Sequence, residues 1–376
     1  MDFTFSEEQD LLRASVRERM EAAYPIDRVA ALADADGDAD ADADGDGFPR
    51  AEWSQAVEAG WTGISVPESE GGAGLSFLEE MLVAEELGRA LYPGPFLASV
   101  VMALPTLREA GASELAAAVV AGERIATVAW FGIERPDDPD ASPATWDGRA
   151  LSCHRLFVPN LSTADLAVVV GWDDLEPALW AVDRDASGVR WRALPAVDGT
   201  RPQGELILDG APATLVARGE AAGSILATVR DRALAALAAE ACGVADRALA
   251  LAVEYASGRK QFGRAIGTFQ AVSHSLAQAY MEVETARSLA YWAGWAVAEA
   301  AEEAGVAAAA AKAKAAEAAV DACERSIQAH GGIGFTWEHP LHRFYKRALA
   351  IASTMGTADD LWSRVADRVI PSMVGS

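Results

Sequence analysis

Cysteine is scarce. Cys153, Cys242 and Cys323 are the only three in 376 residues, and no two stand at metal-ligand spacing. A thiolate metal centre and a disulfide framework are excluded on that ground, and the pattern reads as small buried thiols in a reducing cytoplasm. Positive charge is scarce too. Thirty-one Lys and Arg against 56 Asp and Glu leave a net −25, which argues against nucleic acid and against an anionic membrane as partner. The N-terminal Met-Asp-Phe-Thr-Phe-Ser-Glu-Glu has no basic region and no apolar run, so no signal peptide is expected. Long hydrophobic runs are nearly missing. Ala90 to Leu107 carries no charge for 18 residues, but Pro93, Pro95 and Pro105 interrupt it. A helix end, a turn and a second short helix are expected there, not a membrane span.

What remains is a globular composition. Hydrophobic residues make up 51% and charged residues 23%, enough to bury a large core in a chain long enough for two to three subdomains. Seven Asp alternate with Ala and Gly between Asp34 and Asp46 and supply seven of the negative charges. Asp40, Asp42, Asp44 and Gly45 match the first half of a calcium loop. The closing Glu position holds Ala51, and Glu52 comes one residue late. Residues 34–47 are therefore expected as a solvated acidic low-complexity loop.

Periodicity divides the chain in three. Residues 1–121 read as helical, opening on Ser6 as an N-cap with Gln9 completing a capping box. Leu78 to Leu87 reads as a helix that Gly88 closes as a C-cap. From 122 to 218 the period falls to 2. Ile125–Trp130, Leu166–Val170, Leu179–Val182, Val189–Arg192 and Glu205–Leu208 read as strands bounded by turn residues. From 219 to 376 the pattern is helical again, in Ala-rich segments over 224–256, 268–302, 304–330 and 342–370. The fold class expected is α+β: a helical N-terminal domain, an antiparallel β-barrel-like middle domain and a C-terminal four-helix bundle.

Two stretches break the last third with residues too polar for a core. Tyr255 to Gln270 contains Arg259-Lys-Gln261-Phe262-Gly263. Gln328-Ala-His330-Gly331-Gly332-Ile-Gly334-Phe335 lies downstream. A guanidinium, two amides, an aromatic edge and glycine-lined N–H groups suit a ligand with a pyrophosphate and a planar base. The two stretches match the R-x-x-FG and Q-x-x-GG-x-G patterns of the acyl-CoA dehydrogenase family, and the chain resembles that family over nearly its whole length. The resemblance implies FAD as cofactor and α,β-dehydrogenation of an acyl-CoA thioester. It also implies that Arg259, Gln261, Phe262, Gln328, Gly331 and Gly332 hold the adenine dinucleotide half of a neighbouring subunit's FAD.

The family's catalytic side is thinner. Ungapped alignment places Met355-Gly356-Thr357 on the Glu-Gly-Thr motif, so Met355 occupies the position of the base, and a thioether accepts no proton. Thr357 is the main contact left for the chain's own FAD. The alternative base position of some members falls on Ala233, beside Leu234. Glu240, two turns on, is open to two readings, a displaced base or a satisfied structural acid. The segment that contacts flavin N5 reads Phe157-Val158-Pro159, and proline has no N–H. The loop Trp130 to Pro139 lacks the family's Gly-Ser pair. This uneven retention implies a subunit that completes a partner's site, with acyl-CoA as substrate, a base-bearing paralogue in a heterotetramer, and an electron-transfer acceptor. A self-sufficient homotetramer with a displaced base, and a non-catalytic CoA- or flavin-binding scaffold, are the alternatives.

Overall fold

The computed structural model describes residues 5–35, 48–132, 143–173 and 176–374. Most of the Asp-rich loop, and the stretch after Gly132, lie outside them. The chain divides into two compact units. One comprises Met1–Ala30, Phe77–Tyr92 and Leu234–Ser376; the other comprises Ala31–Ser76 and Pro93–Ala233.

The helices before the sheets are α1 (Glu7–Ala23), α2 (Ile26–Ala35), α3 (Arg50–Glu58), α4 (Phe77–Arg89), α5 (Leu104–Glu109) and α6 (Ser113–Val120). The first is capped as its sequence requires. Ser6 Oγ accepts from Gln9 N–H at 3.2 Å, and Gln9 Oε1 accepts from Ser6 N–H at 3.0 Å. The uncharged stretch is a turn followed by a π-helix, Phe96–Ala103, that runs into α5.

Strands follow as β1 (Ala126–Ala129), β2 (Phe131–Gly132), β3 (Thr145–Trp146), β4 (Ala150–Pro159), β5 (Leu166–Asp173), β6 (Glu176–Asp183), β7 (Val189–Leu194), β8 (Gln203–Pro212) and β9 (Thr214–Arg218). They form one sheet in the order β1-β5-β6-β9 and another in the order β2-β4-β8-β7, with β3 also on β4. Neither sheet closes into a barrel. Every pairing in them is antiparallel except β1 with β5, because the chain leaves β1 into the other sheet before returning in the same direction. Inward residues of both sheets, among them Val169, Trp180, Val158 and Leu206, share one core.

The rest is helical: α7 (Glu220–Gly258), α8 (Gln270–Ala298), α9 (Ala304–His330), α10 (Leu341–Ser353) and α11 (Ala358–Val374), with the short hairpin β10 (Lys260–Gln261) and β11 (Arg264–Ala265) between α7 and α8. The segment expected as one helix over 342–370 is two. Met355 at φ 61° and Gly356 at φ 107° leave the right-handed helical region and break it. Gly88 is not a C-cap, since α4 runs through it. A Cβ on Gly88 would overlap the Glu240 carbonyl, and one on Gly243 would overlap the Glu85 carbonyl. These two glycines let α4 and α7 cross backbone against backbone.

Candidate functional site

The two polar stretches sit on built features of the first unit. β10 and β11 pair Gln261 with Arg264, leaving Phe262 and Gly263 as a two-residue hairpin loop. Both have positive φ, 52° and 82°, as a tight type I′ hairpin needs. Phe262 bears a strain that glycine would avoid, and its ring is 92% exposed. The hairpin is tied down by Ile266 N–H donating to the Arg259 carbonyl at 2.8 Å, and the Arg264 guanidinium lies 4.0 Å from the Phe269 ring centroid. Arg259 is exposed, and its guanidinium makes no hydrogen bond or ion pair among the described residues. Gln261 Nε2 donates only to the Lys260 carbonyl, at 2.9 Å.

At the end of α9, Gln328 is exposed and its amide is likewise unengaged among the described residues. Gly331 stands at φ 67°, ψ −141°, a conformation for glycine alone. A Cβ on Gly332 would meet nothing within 4 Å, so its backbone faces open space. Tyr255, one turn before Arg259, stacks on the buried His330 ring at 4.3 Å, which joins the two stretches. His339 packs on the same imidazole at 4.4 Å. A guanidinium, two amides and an exposed ring, beside exposed glycine backbone whose Gly331 N–H already donates to the Gln328 and Ile327 carbonyls, are a set that fits an adenine dinucleotide.

Burial first, and then the charge of His330, hold the His339 imidazole below its ordinary 6.5. Its Nδ1 accepts from Leu341 N–H at 3.4 Å, which requires the neutral ring. A depressed imidazole stabilises its surroundings above about pH 6.5 and loses that contribution as the pH falls through the folded value. Hydrogen-exchange protection in a peptide spanning 336–345, corrected for the intrinsic rate at each pH, is therefore expected to fall as the pH drops below the imidazole's ordinary range; corrected protection unchanged from about pH 7.5 to 5 would contradict it.

The turn aligned with the catalytic motif is differently occupied. Lys312 of α9 is fully buried, and its ammonium donates to the carbonyls of Ala352 at 3.0 Å and Gly356 at 2.5 Å, clamping the turn from below. Met355 is half-buried there. Thr357 caps α11. Its N–H and its Oγ both donate to Asp360 Oδ2, at 2.9 and 2.6 Å, and Asp360 N–H returns to Thr357 Oγ at 3.3 Å. Those Thr357 bonds hold the Asp360 carboxyl below its ordinary range. With Asp359 beside it, the start of α11 carries two carboxylates, which satisfy the helix dipole and repel a phosphate.

The other candidate base positions are buried in the first and second units. Ala233 and Leu234 are fully buried and carry no acid. Glu240 is paired as the structural-acid reading expects. Arg347 Nη1 donates to its Oε1 at 2.5 Å, and Arg347 Nη2 to the carbonyls of Leu91 and Tyr92 at 3.5 and 3.3 Å. In the second unit, Phe157 takes φ 55° in a bulge of β4 and is 45% exposed. Pro159 ends that strand with its carbonyl accepting from Thr127 Oγ at 2.5 Å. Sequence reasoning missed Lys312, Asp360 and Arg347. The Thr357-x-x-Asp360 spacing carried a capping signal; the other two had none. No group of three or more His, Cys, Asp or Glu among the described residues is placed to hold a metal, and no helix among them is long and apolar enough to cross a membrane.

Known proteins bear on these features directly. The acyl-CoA dehydrogenase N-terminal domain matches residues 6–122 and the C-terminal domain of the same family matches residues 231–370. Acyl-CoA dehydrogenase FadE27 of Mycobacterium tuberculosis is 32% identical over 331 residues, covering 85% of this chain and 87% of that protein. The ChsE4-ChsE5 complex from Mycobacterium tuberculosis contains a chain 30% identical, with a TM-score of 0.86 and coverage of 98% of this chain and 99% of that one. The Tcur3481-Tcur3483 steroid ACAD is 31% identical at the same TM-score and the same coverage. Helical ends matched by both domain models, two sheets between them, and relatives of 30% identity or more over most of the chain converge: the chain belongs to the acyl-CoA dehydrogenase family, FAD-dependent oxidoreductases acting on the CH–CH bond of acyl-CoA.

Proposed function

We propose that this chain is the base-less subunit of a heteromeric acyl-CoA dehydrogenase and completes the FAD site of a base-bearing paralogue. The observation that carries the reading is an asymmetry in donors. The side chains suited to a neighbour's dinucleotide, Arg259, Gln261, Phe262 and Gln328, are exposed and little engaged, and Gly331 and Gly332 beside them are exposed. The groups that would serve the chain's own flavin are spent or absent. Thr357 gives both donors to Asp360, Met355 replaces the base, and Pro159 has no N–H. Decay without selection has no reason to spare one set and close the other.

FAD, where bound, accepts the β-hydride of the thioester. The residues of this chain bind and orient. Arg259 offers two planar N–H donors to a pyrophosphate oxygen pair. The amides of Gln261 and Gln328 orient the dinucleotide by hydrogen bonds, and Phe262 covers the planar base from water. The proton at the thioester α-carbon goes to the paralogue's carboxylate, because Met355 cannot take it. The acyl group itself is of the class handled by heteromeric relatives; the steroid named for Tcur3481-Tcur3483 makes a bulky polycyclic acyl-CoA the first substrate to assay.

Steady-state acyl-CoA oxidation with an external electron acceptor tests the reading, with the chain alone and co-expressed with a base-bearing paralogue from the same genome. Activity is expected only from the pair. In the pair, Met355→Glu is expected to leave turnover within about twofold of wild type, since less than about 0.5 kcal/mol of barrier is at stake for a group outside the working site. Strong turnover by the wild-type chain alone would sink the proposal.

A further inference from the structure

We infer that Tyr255 and His330 are positioning residues for the dinucleotide surface, locking two sequence-distant stretches into one rigid recognition face. The inference rests on the reading above and adds to it how the face is held. Tyr255 and Arg259 share one helical turn, with Arg259 N–H donating to the Tyr255 carbonyl at 2.8 Å. His330 follows Gln328 by two residues and directly precedes Gly331. The two rings stack at 4.3 Å with 25° between their planes. Every member of the face therefore lies within seven residues of a stacked ring, along one chain segment or the other.

The imidazole is fixed more firmly than packing alone would do. His330 Nδ1 lies 2.8 Å from the Ser326 carbonyl, which can only accept, so Nδ1 carries the proton and the ring is held in one tautomer and one rotamer. His339 backs it at 4.4 Å. Tyr255, in contrast, has no hydroxyl partner among the described residues. The ring is what the stack requires, and the hydroxyl is dispensable. A ligand that spans a pyrophosphate and an adenine must meet Arg259 and Gln328 at a set separation; a face free to float loses the benefit of preorganised donors.

The test uses the co-expressed heteromer and FAD retention, read as the dissociation constant from flavin fluorescence during dilution. Tyr255→Leu keeps apolar volume and removes the stack, and is expected to weaken retention by about tenfold, the scale of one lost aromatic pair. Turnover at saturating FAD should return to the wild-type value, since no group at the reacting bond is touched. Tyr255→Phe keeps the ring and is expected to retain FAD as wild type does. His330→Gln, which keeps a hydrogen-bonding side chain without a ring, should behave as Tyr255→Leu. Wild-type retention in Tyr255→Leu would overturn the inference, as would a Tyr255→Phe variant as weak as Tyr255→Leu. Arg259→Ala run beside them separates the two levels. If it too leaves retention unchanged, the dinucleotide surface itself is wrongly assigned; if it alone weakens retention, the surface stands and the stack is not what positions it.

Discussion

Replacing Glu240 with alanine is expected to destabilise the chain by about 3–5 kcal/mol, the cost of breaking a buried ion pair by removing one partner. Glu240 is 7% exposed and Arg347 is 2% exposed. The pair crosses 107 residues of sequence, and Arg347 also donates to the carbonyls that follow α4. With the carboxylate gone, the buried guanidinium loses its anionic partner. Urea unfolding of Glu240→Ala against wild type reads the difference as a shift in midpoint at unchanged slope. The same experiment decides between the two readings of this residue. A catalytic base can be removed with little loss of stability and a large loss of rate. A loss of under about 1 kcal/mol together with abolished turnover would restore Glu240 as a base and argue against the structural role.

Replacing Arg259 with alanine in the assembled heteromer is expected to weaken FAD binding by about ten- to a hundredfold, from the loss of about 1.5–3 kcal/mol of charge-assisted hydrogen bonding. A cation near the end of α7 that served only the helix dipole would contribute under about 1 kcal/mol, and to stability instead of to flavin affinity. The two roles thus separate by readout. Isothermal titration of the deflavinated complex with FAD gives the affinity, and a melting curve of the same sample gives the stability. An unchanged affinity beside a lowered melting temperature would favour the dipole role. The absence of any competing carboxylate on Arg259 among the described residues is what makes the large effect expected: nothing intramolecular has to be given up for the ligand.

The fold was legible where side chains repeat with a clean period. Leu166–Val170 and Leu179–Val182 lie inside β5 and β6, and the Ala-rich segments lie on α7, α8 and α9. It was illegible where the backbone departs from its period. β4 was not expected, because register shifts between Leu151 and Cys153 and between Arg155 and Val158 scramble its alternation. The split between α10 and α11 was hidden because Met355 is a good helix former held at positive φ, with Lys312 binding the Gly356 carbonyl from another helix. Gly88 looked like a stop signal and is a crossing point, a role fixed by Gly243 and Glu240 far along the chain.

At the candidate site the exposed groups could be read from the sequence, since Arg-Lys-Gln-Phe-Gly at a helix break has no place in a core. Their neighbours could not. The Tyr255–His330 stack, the Arg347–Glu240 pair and the Lys312 clamp each join residues that only folding brings together. Thr357 shows the intermediate case. The role its resemblance implies was legible, but the Asp360 carboxylate that takes both its donors in a helix cap was not.

On the proposed reading, this subunit lends its dinucleotide surface to a partner and holds no flavin in its own turn. Flavin stoichiometry measures it most directly. The chain purified alone, and the heteromer purified after co-expression, would each be saturated with FAD, desalted, and assayed for flavin absorbance against protein concentration. No retained FAD is expected on the chain alone, and one FAD for each pair of unlike chains in the heteromer. One FAD retained on every copy of this chain, alone or in the heteromer, would contradict it.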